Sequence, residues 1–433
     1  MIFNLDVETM PLPKLRDLQN ERLRHIVATV VERVPFYRQM FQVAGLKPSD
    51  IRGVQDLHKI PFTQKHDLRN NYPFGLFATP QSEVVRVHGS SGTTGKPTIV
   101  GYTKADIDVF SEVVARSLAA AGGKKGMILQ NAYGYGLFTG GLGIHYGGEK
   151  LGMTVIPVSG GMTDRQLLLM QDLKSDMICC TPSYAQTLAE EIVKRGISTE
   201  QLHLKYAVLG AEPWTETIRD CVQTGLGVAA TNIYGLSEII GPGVSQEDVE
   251  ERGTGSYVWE DHFFPEIVDK NTGEPLPEGA DGVLVFTTLT KQAMPLLRYW
   301  TNDITNLHYD KGAKRTHIKM GAIRGRSDDM LIIRGVNLFH TQVEVLLKDI
   351  PMLTSNYQLV VSRTGALDSV LVKVEKADLP LSDEKWTEVK AHFSKKIKDN
   401  IGLSMQIQMM NYGDIPRSEG GKLSRIVDLR KKG

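Results

Sequence analysis

The segment Ser90-Ser91-Gly92-Thr93-Thr94-Gly95-Lys96-Pro97-Thr98 has the composition of a polyphosphate grip. Its glycines let the backbone turn N–H groups inward, the hydroxyls of Ser90, Ser91, Thr93 and Thr94 add donors, and Lys96 adds charge. A Walker P-loop is excluded, because Ser90 stands where its first glycine would be and Pro97 replaces its magnesium-binding hydroxyl. Ser/Thr/Gly runs also serve as plain surface turns. The lysine, and the strand-like Val84-Val85-Arg86-Val87 just ahead, favour the phosphate reading.

Three further clusters carry polar groups, each with an ordinary alternative. In Tyr234-Gly235-Leu236-Ser237-Glu238 the tyrosine offers a flat face for a base, and a hydroxyl beside a carboxylate suits a magnesium-bound phosphate. A helix N-terminus with Ser and Glu would read the same way. Asp303, closing the run from Met294, could take two ribose hydroxyls from a strand end or sit in a surface turn. Lys422 stands behind Gly420 and Gly421, so a flexible loop could carry its charge into a site and out again. The alternative there is an exposed basic tail, in keeping with Arg430-Lys431-Lys432.

Such groups need elements to hold them. Residues 14–42 place Leu15, Leu18, Leu23, Ile26, Val27, Val30 and Val31 at helical spacing, an N-terminal helical cap. After the hydroxyl-rich loop a second helical pattern, Ile107 to Leu118, stops at Gly122-Gly123. Short apolar runs at 127–129, 153–158, 177–180 and 206–209 then alternate with helical stretches, as in a parallel sheet faced by helices. Such sheets bind ligands in loops at the carboxyl ends of their strands. Beyond about residue 250 the pattern, including 282–288, becomes more antiparallel and barrel-like. Strands near 357–361 and 369–375 and a helix opened by Ser382, with Trp386, Val389, Phe393 and Ile397 on one face, predict a small α+β unit. The fold class is therefore α/β, with a large domain over 1–327 and a small α+β domain over 328–433.

Composition narrows the partners. At 433 residues two or more domains are expected. Fifty basic against fifty acidic residues leave no net charge to capture nucleic acid or membrane, so a small-molecule partner is expected. Cys179, Cys180 and Cys221 provide neither a disulfide framework nor a Cys-x-x-Cys metal site. No apolar run approaches the roughly 20 residues that span a bilayer, and the N-terminus is not signal-like, so a cytoplasmic location is expected.

The four clusters in this order resemble the adenylate-forming acyl-CoA synthetases, and most closely the phenylacetate-CoA ligase family. The likeness extends to Gln130 through Gly141, Tyr234 through Gly243, Trp259 through Glu266, Gly325-Arg326-Ser327-Asp328-Asp329 and Arg334-Gly335-Val336-Asn337, and so covers essentially the whole chain. It implies ATP-dependent joining of an aryl acid, phenylacetate first, to AMP with release of pyrophosphate, and then transfer of the acyl group to coenzyme A.

The resemblance also implies roles. Ser90, Ser91, Gly92, Thr93, Thr94, Gly95 and Lys96 would steady the β- and γ-phosphates, and Glu238, supported by Ser237, would hold magnesium. Ala211, Glu212 and Pro213 would lie along adenine, with Tyr234 stacked on the base beside Gly235. Asp303 would take the ribose, assisted by Arg326, and Lys422 would touch the acyl carboxylate and the α-phosphate. Tyr133, Phe138, Ile233, Ile240 and Pro242 match the acyl pocket, although aromatic residues in glycine-rich loops also serve as core packing. Asp328 matches a hinge about which the small domain turns, removing Lys422 and bringing Arg334 and Gly335 to the coenzyme A side. A homodimer is compatible with the helical cap.

The chain departs from the family pattern at Trp300, Asn302 and His340, where arginine, arginine or glycine, and proline are usual. Two other readings follow: an adenylate-forming enzyme with a different acid or acceptor, such as a cofactor or carrier protein, and a silent nucleotide- or acyl-binding relative. The joint presence of Lys422, Glu238 and Asp303 argues against the silent protein.

Overall fold

The computed structural model describes residues 1–90, 98–327, 331–333, 336–364, 367–419 and 423–431. The expected helical cap is two helices, Leu12–Arg33 and Pro35–Val43. Pro35 opens the second and forces the extended Val34 that separates them. Buried charge ties the ends of the large unit together: Arg315 pairs with Glu8 and Asp248, each at 2.6 Å.

The strand ahead of the phosphate segment starts at Arg86 rather than Val84, because a 3-10 turn at Gln81–Glu83 comes first. Strands β1 (Arg86–Ser90) and β2 (Thr98–Tyr102) form an antiparallel pair in which Ser90 is opposite Thr98. The main sheet then takes β3 (Ile128–Asn131), β4 (Thr154–Ile156), β5 (Met177–Cys180), β6 (Tyr206–Gly210) and β7 (Ala229–Leu236), all parallel. Antiparallel strands β8 (Gly241–Glu247) and β9 (Ser256–Val258) continue it.

Strand alternation divides the interior. Met177, Cys179 and Val208 face one core, whereas Ile178, Cys180, Ala207 and Leu209 face the other. The first core is covered by the helix Lys104–Ala120, against which Gly140–Leu151 packs closely. A Cβ at Gly147 would lie 2.3 Å from Val114 Cγ1, so only glycine fits there. The second is covered by the helices Pro182–Lys194 and Glu216–Leu226. All three cysteines are free, with Cys179 and Cys180 buried on opposite faces of one strand.

The expected antiparallel, barrel-like part is a four-stranded sheet of β10 (Phe263–Val268), β11 (Gly282–Thr288), β12 (Tyr299–Thr305) and a short strand at Gly325–Arg326. Residues from 331 onward build a core of their own, including Leu359, Val372, Trp386, Val389, Phe393 and Ile397. A mixed four-stranded sheet backs it, and its helix Asp383–Ile401 is capped by Ser382, whose side chain accepts the Lys385 amide, as its sequence predicts. Among the described residues no helix is long and apolar enough to cross a membrane.

Candidate active site

A cavity of about 1180 Å³ opens at the carboxyl ends of the parallel strands. Tyr133 and Gly134 follow β3, Thr181 and Ser183 follow β5, Ala211 to Trp214 follow β6, and Asn232 to Glu238 come from the end of β7 and its turn. Ala211 sits at φ +72°, which turns the backbone sharply where β6 ends.

The Tyr234 cluster does not open a helix. Tyr234 to Leu236 finish β7, and the register shifts between Tyr234 and Gly235. A Cβ at Gly235 would lie 1.9 Å from the Gly241 carbonyl oxygen, so this bulge admits glycine alone. It turns Ser237 and Glu238 back over the cavity.

Tyr234, Asp303 and Arg326 form one hydrogen-bonded group. The Tyr234 hydroxyl donates to Asp303 Oδ2 at 2.6 Å, and Arg326 Nη1 donates to Oδ1 at 3.3 Å. Burial first, and the Asp303 carboxylate second, hold the Tyr234 phenol well above its usual range, so it remains a donor. Strand pairing sets this group up, since Asp303 lies directly opposite Arg326.

Glu238 is buried, at 6% exposure, yet no hydrogen bond or ion pair joins its carboxylate to another described residue. Ser237 is beside it, hydroxyl to hydroxyl with Thr139 at 3.2 Å. Among the described residues no group of three or more His, Cys, Asp or Glu could hold a metal. One free carboxylate with nearby hydroxyls fits magnesium, whose remaining ligands are typically phosphate oxygens and water.

Tyr133, Phe138, Ile233 and Pro242 line the cavity together. Ile240 does not. It is 1% exposed within the core, and its carbonyl accepts from the Tyr102 hydroxyl at 2.8 Å, because the turn after the bulge points it inward. Ala211, Glu212, Pro213, Gly235 and Ser237 also line the cavity. Ser90 ends β1. Ser91, Gly92, Thr93, Thr94, Gly95, Lys96, Asp328, Arg334, Gly335 and Lys422 lie outside the described residues.

The unusual residues have partners. Trp300 Nε1 donates to Asn302 Oδ1 at 2.9 Å, and the Trp300 ring meets Phe62 edge-on. Asn302 lines the cavity and its carbonyl accepts the Ser327 amide at 2.7 Å. His340 also lines it, with Nδ1 2.8 Å from the Tyr357 hydroxyl; burial lowers its imidazole to about 4 and keeps it neutral.

Sequence reasoning missed Lys291. Its buried ammonium donates to the Ile239 carbonyl at 3.2 Å and lies 3.8 Å from the Tyr102 ring centroid, directly behind the turn that carries Glu238. Burial lowers it to about 8, opposed by Asp106 and Glu238. A lone lysine in a Thr-Leu-Thr-Lys run gives no sign of burial, so nothing local marks it.

The profile of AMP-binding enzymes matches residues 8–292, and that of the AMP-binding enzyme C-terminal domain matches 335–430. A phenylacetate-coenzyme A ligase of Thermus thermophilus is 61% identical over 446 residues, covering 100% of both chains. One of Pseudomonas putida is 51% identical over 98% of this chain and 96% of its own. Among solved structures, 2-hydroxyisobutyryl-CoA ligase in its postadenylation state with 2-HIB-AMP superposes with a TM-score of 0.92, at 25% identity, over 99% of this chain and 92% of that one. The same ligase with 2-HIB-AMP and CoA in the thioesterification state gives 0.73, at 26% identity, over 98% and 91%. Two AMP-binding profiles in sequence and whole-chain relatives with one shared name place the chain plainly: it belongs to the phenylacetate-CoA ligase family of adenylate-forming enzymes.

Proposed function

We propose that the chain is an ATP-dependent acid–thiol ligase that converts phenylacetate to its coenzyme A thioester through an acyl-adenylate. The observation that carries this reading is a single cavity shared by the Tyr234-Asp303-Arg326 group, the free Glu238 carboxylate and the apolar wall of Tyr133, Phe138, Ile233 and Pro242. A ribose seat and an aromatic seat open to one space are what an aryl-adenylate requires. Relatives that share half or more of the sequence and bear the phenylacetate-coenzyme A ligase name support the choice of acid.

In the first step a carboxylate oxygen attacks the α-phosphorus and pyrophosphate leaves. Both reactants are anions, so the site must neutralise charge as they approach. Asp303 accepts the ribose hydroxyls while Arg326 and the Tyr234 phenol keep it aimed. Glu238 would hold magnesium, which supplies charge neutralisation at the phosphates when bound. The segment Ser90 to Lys96 grips the leaving pyrophosphate, and Lys422 stabilises charge where the carboxylate meets the α-phosphate.

In the second step the coenzyme A thiolate attacks the acyl carbon and AMP leaves. The small unit turns about Asp328, withdrawing Lys422 and bringing Arg334 and Gly335 to the thiol side. A chain that scores 0.92 against one state of a ligase and 0.73 against another has its parts disposed as in the first, so this structure resembles the arrangement after adenylation.

The test is a panel of aryl, fatty and heteroaromatic acids with ATP, following pyrophosphate, then coenzyme A, following thioester. Phenylacetate is expected to give the highest kcat/KM and a stoichiometric thioester. Pyrophosphate release without thioester would move the acceptor elsewhere, and preference for another acid would overturn the substrate.

A further inference from the structure

Glu212 lies in the strand-end segment along which adenine is expected, yet its carboxylate is committed elsewhere. Oε1 accepts from the Ser183 hydroxyl at 3.0 Å and from the backbone amide of Leu423 at 2.7 Å, and Oε2 accepts from the Ser183 amide at 3.3 Å. Ser183 is in the first turn of the 13-residue helix Pro182–Lys194, where a carboxylate is favoured by the helix's free N–H groups. Leu423 follows Lys422 directly in the chain. One side chain therefore joins the end of β6, the start of a core helix and the backbone beside the lysine proposed for adenylation.

The chain on the other side of Lys422 is also seated on the large unit. Arg417 Nε donates to Glu190 Oε2 at 2.8 Å, and the Thr187 hydroxyl donates to the Ser418 carbonyl at 3.4 Å. Gly161, at φ +75°, leaves room for the Glu419 carbonyl, which would stand 2.8 Å from a Cβ there. Of these anchors, Glu212 alone reaches the chain after the lysine and also belongs to the cavity wall. Burial pushes its carboxyl upward, while the two amides and the serine hydroxyl pull it back toward the ionised form.

We infer that Glu212 is a positioning residue for adenylate formation: it fixes the backbone next to Lys422 while the small unit is docked, and it loses that partner when the unit turns for thioester formation. The inference rests on the proposed role of Lys422. It assigns Glu212 to one half-reaction, whereas a residue of the adenine wall would serve both.

The experiment compares Glu212→Ala, Glu212→Gln, Lys422→Ala and the Glu212→Ala/Lys422→Ala double variant in two assays. One is phenylacetate-dependent exchange of pyrophosphate into ATP, and the other is thioester formation from preformed phenylacetyl-AMP and coenzyme A. Glu212→Ala is expected to lower exchange at least tenfold more than thioester formation, through kcat rather than the KM for ATP. Glu212→Gln, whose amide oxygen still accepts the Leu423 N–H, restores most of the exchange, and its thioester activity reports that the chain has folded. In the double variant exchange falls no further than in Lys422→Ala. An equal loss in both assays, an effect confined to the KM for ATP, or full additivity in the double variant overturns the proposal. Normal exchange in Glu212→Ala beside lost exchange in Lys422→Ala overturns it while leaving the lysine's role intact. Normal exchange in Lys422→Ala overturns both.

Discussion

The walls of the cavity are held in two different ways. The ends of β5, β6 and β7 are backed by two apolar cores, in which Ile178, Val208, Leu209 and Ala230 have no measurable exposure. The residues contributed from beyond 331 meet that wall through polar groups: Gln186 to Ser355 at 3.0 Å, Arg417 to Glu190 at 2.8 Å, Lys348 to Asp220 at 3.2 Å, Thr341 to the Arg324 carbonyl at 3.0 Å, and Leu423 to Glu212. Apolar contact is lost to water at a high cost, whereas exposed hydrogen bonds and ion pairs exchange with water at little net cost. Under the proposed function, the ribose and aryl seats would belong to the part held by apolar cores, and the described residues from 331 onward to the part that docks and leaves.

The largest effect that could break this contrast is in the core. Leu209→Ala removes a fully buried side chain and is expected to cost about 2–5 kcal/mol in denaturant unfolding. Lys348→Ala, which removes an exposed ion pair with Asp220 at the docking face, is expected to cost under about 1 kcal/mol. Equal costs would show that the docking face is as integral as the core.

Next is Glu238→Gln, which keeps shape and removes charge. Adenylation is expected to fall by about 100-fold, with a raised magnesium requirement measured by titrating exchange. An unchanged magnesium dependence would remove Glu238 from that role.

Arg417→Ala should have a smaller effect. Its partly exposed pair with Glu190 is worth about 1 kcal/mol, so exchange is expected to drop about fivefold while the large unit's melting temperature stays put; its other partner, Glu375, is fully buried, so the small unit loses more. A melting shift as large as that of Leu209→Ala would instead make Arg417 part of the fold.

The effect that is absent at neutral pH and appears only in acid is a pH limb. Burial lowers His340 from its ordinary 6.5 to about 4, so between those values the unfolded chain binds a proton that the folded one does not. Its contribution is fully present above about pH 6.5 and is lost as pH falls toward 4. His340→Asn is expected to flatten that limb of the stability profile of the small unit, and an identical limb in the variant would assign it to other groups.

What was legible in the sequence was what local rules control. Alternating strands and helices, and the Ser382 cap with its apolar stripe, each state their meaning within a few residues. The cavity wall was legible where residues follow a strand end, as at Ala211 to Pro213. Ile240 was misread because the bulge at Tyr234 and Gly235 changes which side chains face inward, a matter of register with β8. The burial of Lys291 and the contact of Glu212 with Leu423 were not legible, since each depends on segments distant in sequence: 291 against 239, and 212 against 423.

The measurement that bears most directly on the two-part account is the division of Lys422→Ala between half-reactions. Exchange of pyrophosphate into ATP with phenylacetate, and thioester formation from preformed phenylacetyl-AMP and coenzyme A, are measured on the same preparation. Exchange is expected to fall about 100-fold more than thioester formation, because Lys422 is proposed to serve the first step alone. A parallel loss in both assays, or exchange at the unmodified rate, would contradict it.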